Sequence, residues 1–144
     1  MWINVLVLII LVLLIFEGYQ FQRDIKAAYD RLDQYQVKSL TTSFGKMNYL
    51  DEGSGEAVLI AHGIFGGYDQ GMISLRQVVG DRQRKISPSR FGYIGSAPPS
   101  DPTPENQAKA FIELMDYLGI EKCFILGTSA GGAVTLRMAL DYPE

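Results

Sequence analysis

Ala57-Val58-Leu59-Ile60-Ala61 is a continuous β-prone apolar run between a glycine-bearing turn and His62-Gly63. A strand without polar alternation is buried on both faces, as in a parallel sheet covered by helices. A second run of this kind spans Lys122–Leu126 and opens into Gly127-Thr128-Ser129-Ala130-Gly131. Around these two runs the chain reads as strand and helix in alternation. Val37–Phe44 is strand-like, Gly45 makes a turn, and Lys46–Leu50 is the return strand of a hairpin. Asp51–Glu56, with Gly53 and Gly55, is a turn. Met72, Leu75 and Val79 mark the inner face of a helix over Asp69–Val79. Arg76 lies beside that stripe and keeps its charge in water. Arg84–Ser87 is a short strand, followed by a Pro/Gly/Ser-rich loop from Pro88 to Pro104. Thr103 caps the next helix and Pro104 opens it, Ala108, Phe111, Ile112, Met115 and Leu118 face inward, and Gly119 ends it. Ala133–Leu140 is a last helix, ended by Tyr142-Pro143. The fold class is α/β with a mostly parallel sheet.

The first sixteen residues are apolar except for Asn4. As a helix they span about 24 Å, short against roughly 30 Å of bilayer core. Gly18, Tyr19 and Phe21 can extend the run, and Trp2 and Tyr19 stand where interfacial aromatic anchors belong. The leading reading is a transmembrane or signal-anchor segment over residues 1–19. A cleaved secretory signal and a buried helix are the alternatives. The first lacks a cationic n-region and a small-x-small site, and the second would need cover on every side. Arg23, Lys26 and Arg31 follow the segment, and the positive-inside tendency then puts the downstream domain on the cytoplasmic side. A cleaved signal would instead make the protein secreted or periplasmic. In residues 20–36, Phe21, Ile25, Ala28, Leu32 and Tyr35 recur at helical spacing among charged residues, as in an amphipathic juxtamembrane helix. Residues 37–144 form the α/β domain.

Composition excludes several functions. The net charge is −3, and the only basic cluster is Arg82, Arg84 and Lys85, so nucleic-acid binding has no support. The single cysteine, Cys123, lies in an apolar strand and reads as core. No His/Cys/Asp grouping has zinc spacing, so no metal is expected. Gly127–Gly132 lacks the Gly-Lys-Ser/Thr ending of a phosphate loop, and no cofactor is expected.

Ser129 carries the chemistry. G-x-S-x-G between a buried strand and a helix holds a serine on a strained turn that lifts its hydroxyl clear of the sheet. The helix that starts near Ala130 presents free N–H groups to a developing oxyanion. The alternative is an ordinary glycine-rich turn with Ser129 as a cap. His62 follows an earlier strand, a place that suits an oxyanion loop rather than a general base. There His62 orders the loop, Gly63 lets the backbone turn, and the N–H of Ile64 would meet that of Ala130. Phe65 is the runner-up donor.

Phe44–Gly55 followed by Val58–Gly63, then Ser87–Ser96, then Gly127–Gly132, together resemble three ordered motifs of the alpha/beta-hydrolase family. The resemblance covers residues 37–144. It implies Ser129 as nucleophile, Ala130 and Ile64 as oxyanion-hole amides, and Phe65 and Phe91 at the border of an acyl pocket. In this family the acid and the histidine base come after the elbow. Here only Asp141 and Glu144 follow, with no histidine, and Asp141 ends the elbow helix rather than a later strand. The chain therefore reads as the amino-terminal part of a longer enzyme, incomplete at the C-terminus, and no ester turnover is expected of these residues alone. A missing second half would leave an unpaired sheet edge and uncovered apolar faces. The expected activity is serine hydrolysis of a small-molecule ester or acyl substrate. The alternatives are a non-catalytic, membrane-tethered scaffold and a carbon–carbon bond hydrolase. The resemblance links dehalogenases and epoxide hydrolases to aspartate at the position of Ser129.

Overall fold

The structure is a computed structural model and describes residues 2–143. The chain divides into two units between Tyr35 and Gln36. The first contains helix α1 (Trp2–Leu32), which is continuous through Gly18 and has no buried residue. The two expected segments thus share one helix of 31 residues, about 46 Å long. Its apolar half is long and hydrophobic enough to cross a membrane, a property it shares with signal sequences.

The second unit holds a five-stranded sheet. Its elements are β1 (Lys38–Thr42), β2 (Gly45–Glu52), β3 (Ala57–Ala61), α2 (Tyr68–Val78), β4 (Arg84–Pro88), α3 (Pro104–Tyr117), β5 (Cys123–Gly127) and α4 (Gly132–Asp141). A 3-10 turn, Ser129–Gly131, joins β5 to α4. The strand order is β1-β2-β4-β3-β5. β2 pairs antiparallel with both neighbours, whereas β3 pairs parallel with β4 and β5. Four strands therefore run one way and β2 alone is reversed.

β3 is buried at all five positions. Successive side chains of a strand alternate between faces, and the two faces of β3 meet different helices. Ala57, Leu59 and Ala61 join Phe111 and Leu114 of α3 and Val134 and Met138 of α4. Val58 and Ile60 pack with Leu75 of α2. The connection through α2 lies on one side of the sheet and that through α3 on the other. β4 and β5 consequently flank β3 on opposite edges, which makes the carboxyl ends of β3 and β5 a topological switch point. In open α/β sheets such a crevice is where ligands bind.

The hairpin differs from expectation. β2 continues to Glu52, so the turn shrinks to residues 53–56. Cross-strand charge explains the extension. Asp51, opposite Ile86 in the register, accepts hydrogen bonds from Arg84 Nε (2.8 Å) and Nη2 (3.0 Å), and from Lys38 Nζ (2.9 Å). Arg76 is exposed, as expected, and forms an ion pair with Glu52 at the surface (2.7 Å). Thr103 caps α3 as expected, its hydroxyl accepting from Asn106 N (3.2 Å).

β5 forms the edge of the sheet among the described residues. Phe124, Leu136 and Leu140 are 62%, 66% and 70% exposed. These are the unpaired edge and uncovered apolar faces that the sequence led us to expect.

The Arg84 hydrogen bonds to Asp51 hold its carboxyl below the usual range, outweighing the effect of burial, and Lys38 adds to them. A depressed folded pKa stabilises the native state above the unfolded value and is lost as pH falls through the folded one. Asp51→Asn should destabilise the hairpin at pH 7 by about 2 kcal/mol, the scale of charged hydrogen bonds. The difference should shrink as pH falls below the ordinary aspartate value and vanish once pH lies below the lowered folded value, where the carboxylate is protonated in both states. Hydrogen exchange of the β2 and β4 amides measures both.

Candidate active site

The elbow is shaped by backbone contact. The Thr128 N–H donates to the Ala61 carbonyl (3.0 Å), extending the β3–β5 pairing by one bond. A Cβ on Gly131 would collide with the Ala61 carbonyl oxygen and stand 2.6 Å from its carbon and 2.8 Å from the His62 oxygen. A Cβ on Gly127 would meet the Thr135 hydroxyl and lie 3.0 Å from the Gly132 Cα. The two glycines therefore let α4 start directly against the strand ends, and any larger residue would push the turn away.

Ser129 takes up the conformational cost. Its φ is +50°, the only positive value at a non-glycine among the described residues. For such a residue this conformation costs on the order of 1–3 kcal/mol. The residue is exposed. Within the turn, the Gly131 N–H donates to Thr128 O (2.9 Å) and the Gly132 N–H to Ser129 O. The Ala130 N–H precedes these bonds, so it has no partner within the helix that follows.

The loop after β3 comes up against this turn. A Cβ on Gly63 would be 3.6 Å from Ser129 Cβ and 3.5 Å from Thr128 O. Ile64 follows at once and is 52% exposed, and Phe65 is 88% exposed. His62 is buried. Its Nδ1 lies 2.7 Å from Gly63 O, and its Nε2 accepts from the Arg90 N–H (3.0 Å). These partners require the neutral tautomer with the proton on Nδ1. Burial pushes the His62 pKa down, and the nearby Arg90 charge adds to this against the opposing pull of Gly63 O. With both ring nitrogens committed, His62 ties two loops together and has no nitrogen left for the Ser129 hydroxyl. The Gly63 carbonyl points at His62. Because a trans peptide sets C=O and N–H on opposite sides, the Ile64 N–H points away from His62.

Arg90 and Tyr93 also belong to this cluster, and residue patterns did not single them out. Arg90 Nη1 donates to Ala130 O (3.1 Å), and Nη2 donates to Tyr93 Oη (3.0 Å) and reaches Gly63 O (3.5 Å). The guanidinium lies over the Tyr93 ring at 4.9 Å, and that ring meets His62 edge-on at 4.8 Å. The one available signal was a lone cation inside a glycine- and proline-rich loop whose only other charge is Asp101. Phe91 is anchored by its N–H to Gln107 Oε1 (2.6 Å). It lines a cavity of about 140 Å³ with Arg90, Tyr93, Ala130, Ala133 and Val134. Phe65 is not among the residues lining this cavity.

Asp141 pairs with Arg137 (2.8 Å) at the far end of α4. Glu144 lies outside the described residues. No group of three or more His, Cys, Asp or Glu side chains that could hold a metal occurs among the described residues. A larger cavity, about 730 Å³, lies beside the other end of β5 among Met115, Ile120, Cys123, Ile125, Met138 and Tyr142. It contains none of the candidate catalytic residues, and burial raises the Cys123 pKa, as for a core thiol.

Known proteins share these features. Residues 56–144 match the model of the alpha/beta hydrolase fold family. A 2-hydroxy-6-oxo-6-phenylhexa-2,4-dienoate hydrolase from Burkholderia cepacia is 35% identical over 99 residues, covering 65% of this chain and 35% of that enzyme. A haloalkane dehalogenase from Mycobacterium tuberculosis is 27% identical over 119 residues, 79% of this chain and 40% of the relative. Among solved structures, an alpha/beta hydrolase fold protein from Nakamurella multipartita superposes with a TM-score of 0.70 at 34% identity, covering 75% of this chain and 37% of the other. The N-acyl homoserine lactonase AidH gives 0.65 at 32% identity, covering 76% and 42%. The chain thus spans between about a third and two fifths of the length of these relatives. The family match extends over more than half of the chain and takes in the whole elbow, and this protein belongs to the alpha/beta hydrolase fold family.

Proposed function

We propose that Ser129 is the nucleophile of a serine hydrolase acting on small-molecule esters or related acyl compounds. The observation that carries this reading is the positive φ of Ser129 on a turn in contact with the loop after β3. A strained serine, exposed at a topological switch point, suits nucleophilic attack better than capping. A cap sits in extended backbone and bonds to the helix, whereas no cap bond is made at the start of either the 3-10 turn or α4.

The steps follow the chemistry of acyl transfer. Ser129 Oγ attacks the carbonyl carbon as a base takes its proton. The carbonyl π electrons move onto oxygen, and the backbone N–H groups of Ile64 and Ala130 stabilise that charge. The intermediate collapses, the leaving group departs with a proton, and water then releases the acid from the acyl-enzyme. His62 is the wrong base, because its nitrogens are engaged and its protonation is disfavoured. Phe91 borders the cavity next to Ala130, which suits an acyl group.

A carbon–carbon bond hydrolase is the second reading. It is favoured by the Burkholderia cepacia relative, whose name specifies a 2-hydroxy-6-oxo-dienoate. In the complete protein, covalent labelling by a fluorophosphonate should disappear with Ser129→Ala. Hydrolysis of p-nitrophenyl butyrate should fall by at least about a thousandfold, as for loss of a nucleophile. Labelling that survives removes Ser129 from this role. Turnover of the dienoate at least about tenfold faster than of the ester would favour the second reading.

Helix α1 supports membrane attachment through residues 1–19, with residues 20–36 as a juxtamembrane stretch. Every residue from Trp2 to Tyr19 is exposed, and leaving that much apolar surface in water is unfavourable by about 25 cal/mol per Å². After alkaline carbonate extraction, the chain should stay in the membrane pellet at its full mass. A shorter, soluble product would mean a cleaved signal.

A further inference from the structure

We infer that Arg90 is a positioning residue that holds the two halves of the oxyanion site in register and strengthens the Ile64 donor. This deepens the proposed function and rests on its assignment of Ile64 and Ala130.

The two candidate donors come from segments far apart in sequence, the loop after β3 and the turn after β5. Beyond the backbone bond from Thr128 to Ala61, a side chain that touches both segments can fix their spacing. The Arg90 side chain does so with one planar group. Nη1 holds the Ala130 carbonyl and Nη2 reaches the Gly63 carbonyl, while the Arg90 backbone N–H is bonded to His62. The guanidinium is itself held by the Tyr93 hydroxyl and ring. A fork of donors with fixed geometry transmits position in a way that a flexible ammonium does not.

The bonded atoms are the informative part. The Gly63 carbonyl belongs to the peptide whose N–H is that of Ile64. Drawing the oxygen toward Arg90 turns the Ile64 N–H to the opposite side. The Ala130 carbonyl belongs to the first turn of the elbow, and fixing it steadies the residue whose own N–H is the second donor. A cation at the Gly63 carbonyl also polarises the Gly63–Ile64 peptide, which makes the Ile64 N–H a better donor. Arg90 thus acts behind the site. Its side chain bonds to two backbone carbonyls and to Tyr93, and it is not assigned a contact with the substrate.

A loop tie without catalytic consequence would also use these bonds. The two differ in what changes per active site. The experiment uses the complete protein with Arg90→Met, Arg90→Lys and Tyr93→Phe, each normalised by fluorophosphonate titration of active sites. With p-nitrophenyl butyrate, kcat per titrated site should fall by about 10–100-fold in Arg90→Met, below the loss from deleting a donor outright. It should fall less in Arg90→Lys and less again in Tyr93→Phe, with KM little changed. A trifluoromethyl ketone, which mimics the tetrahedral intermediate, should lose affinity by the factor by which kcat/KM falls. The inference is overturned if the variants lower only the number of titratable sites, or raise KM at constant kcat. If Arg90→Met yields no titratable protein, Arg90→Lys decides, and wild-type kcat per site in that variant sinks the proposal. Ser129→Ala is run in parallel. Full activity there removes the function reading itself, whereas its loss together with an unchanged Arg90 series removes only this inference.

Discussion

Backbone meets backbone where the elbow lies on the end of β3, and the site depends on that contact. The Ala61 carbonyl accepts from Thr128 N–H, and the same oxygen leaves no room for a side chain at Gly131. This approach sets where α4 begins, and hence where the Ala130 N–H stands. It also bends Ser129 into positive φ, because the chain must reverse within a single 3-10 turn before the helix can start. The strain is local, and it is sustained by parallel pairing of β5 with β3 over five residues and by burial of Val134 and Met138 beneath the turn.

Around this contact the polar groups are arranged to hold loops rather than to ionise. His62 is buried and kept neutral, with one nitrogen on each of two loops. Arg90 and Tyr93 complete the connection between the loop after β4, the loop after β3 and the elbow. Hydrogen bonds to backbone carbonyls act as spacers here, since a carbonyl held on one side leaves its peptide N–H directed to the other. Charge pairing does comparable work at the far end of the sheet, where Asp51 joins β1, β2 and β4 through Lys38 and Arg84. The hairpin is longer than its residue pattern suggested for this reason.

Membership of the family and completeness of the site are separate matters. The family match covers β3, β4, β5 and the elbow, and the chain spans about a third to two fifths of its relatives' length. The relatives' names specify a dienoate hydrolase, a haloalkane dehalogenase and an N-acyl homoserine lactonase, so membership of the family leaves the substrate open. Phe124, Leu136 and Leu140 are apolar and exposed at the β5 edge and on α4.

Much of this protein was determined by sequence alone because the signals are local. An uninterrupted apolar pentad dictates a strand buried on both faces, and Ala57–Ala61 is one. Gly127, Ser129 and Gly131 mark a strand-to-helix turn through steric limits that act within five residues. Thr103 and Pro104 start a helix by backbone chemistry that needs no partner, and the exposed edge at β5 was foreseeable from what the resemblance lacked. Beyond the β1–β2 hairpin, local signals do not say which strands become neighbours. The pairing of β2 with β4, the placement of β4 and β5 on either side of β3, and the extension of β2 to Glu52 were settled by packing and by the Asp51 ion pairs. Arg90 and Tyr93 were hidden for the same reason. Their loop has no periodicity, and the partners of Arg90 at Gly63 and Ala130 lie 27 and 40 residues away. Only a folded sheet, with its switch point at β3 and β5, brings those carbonyls within reach of one guanidinium.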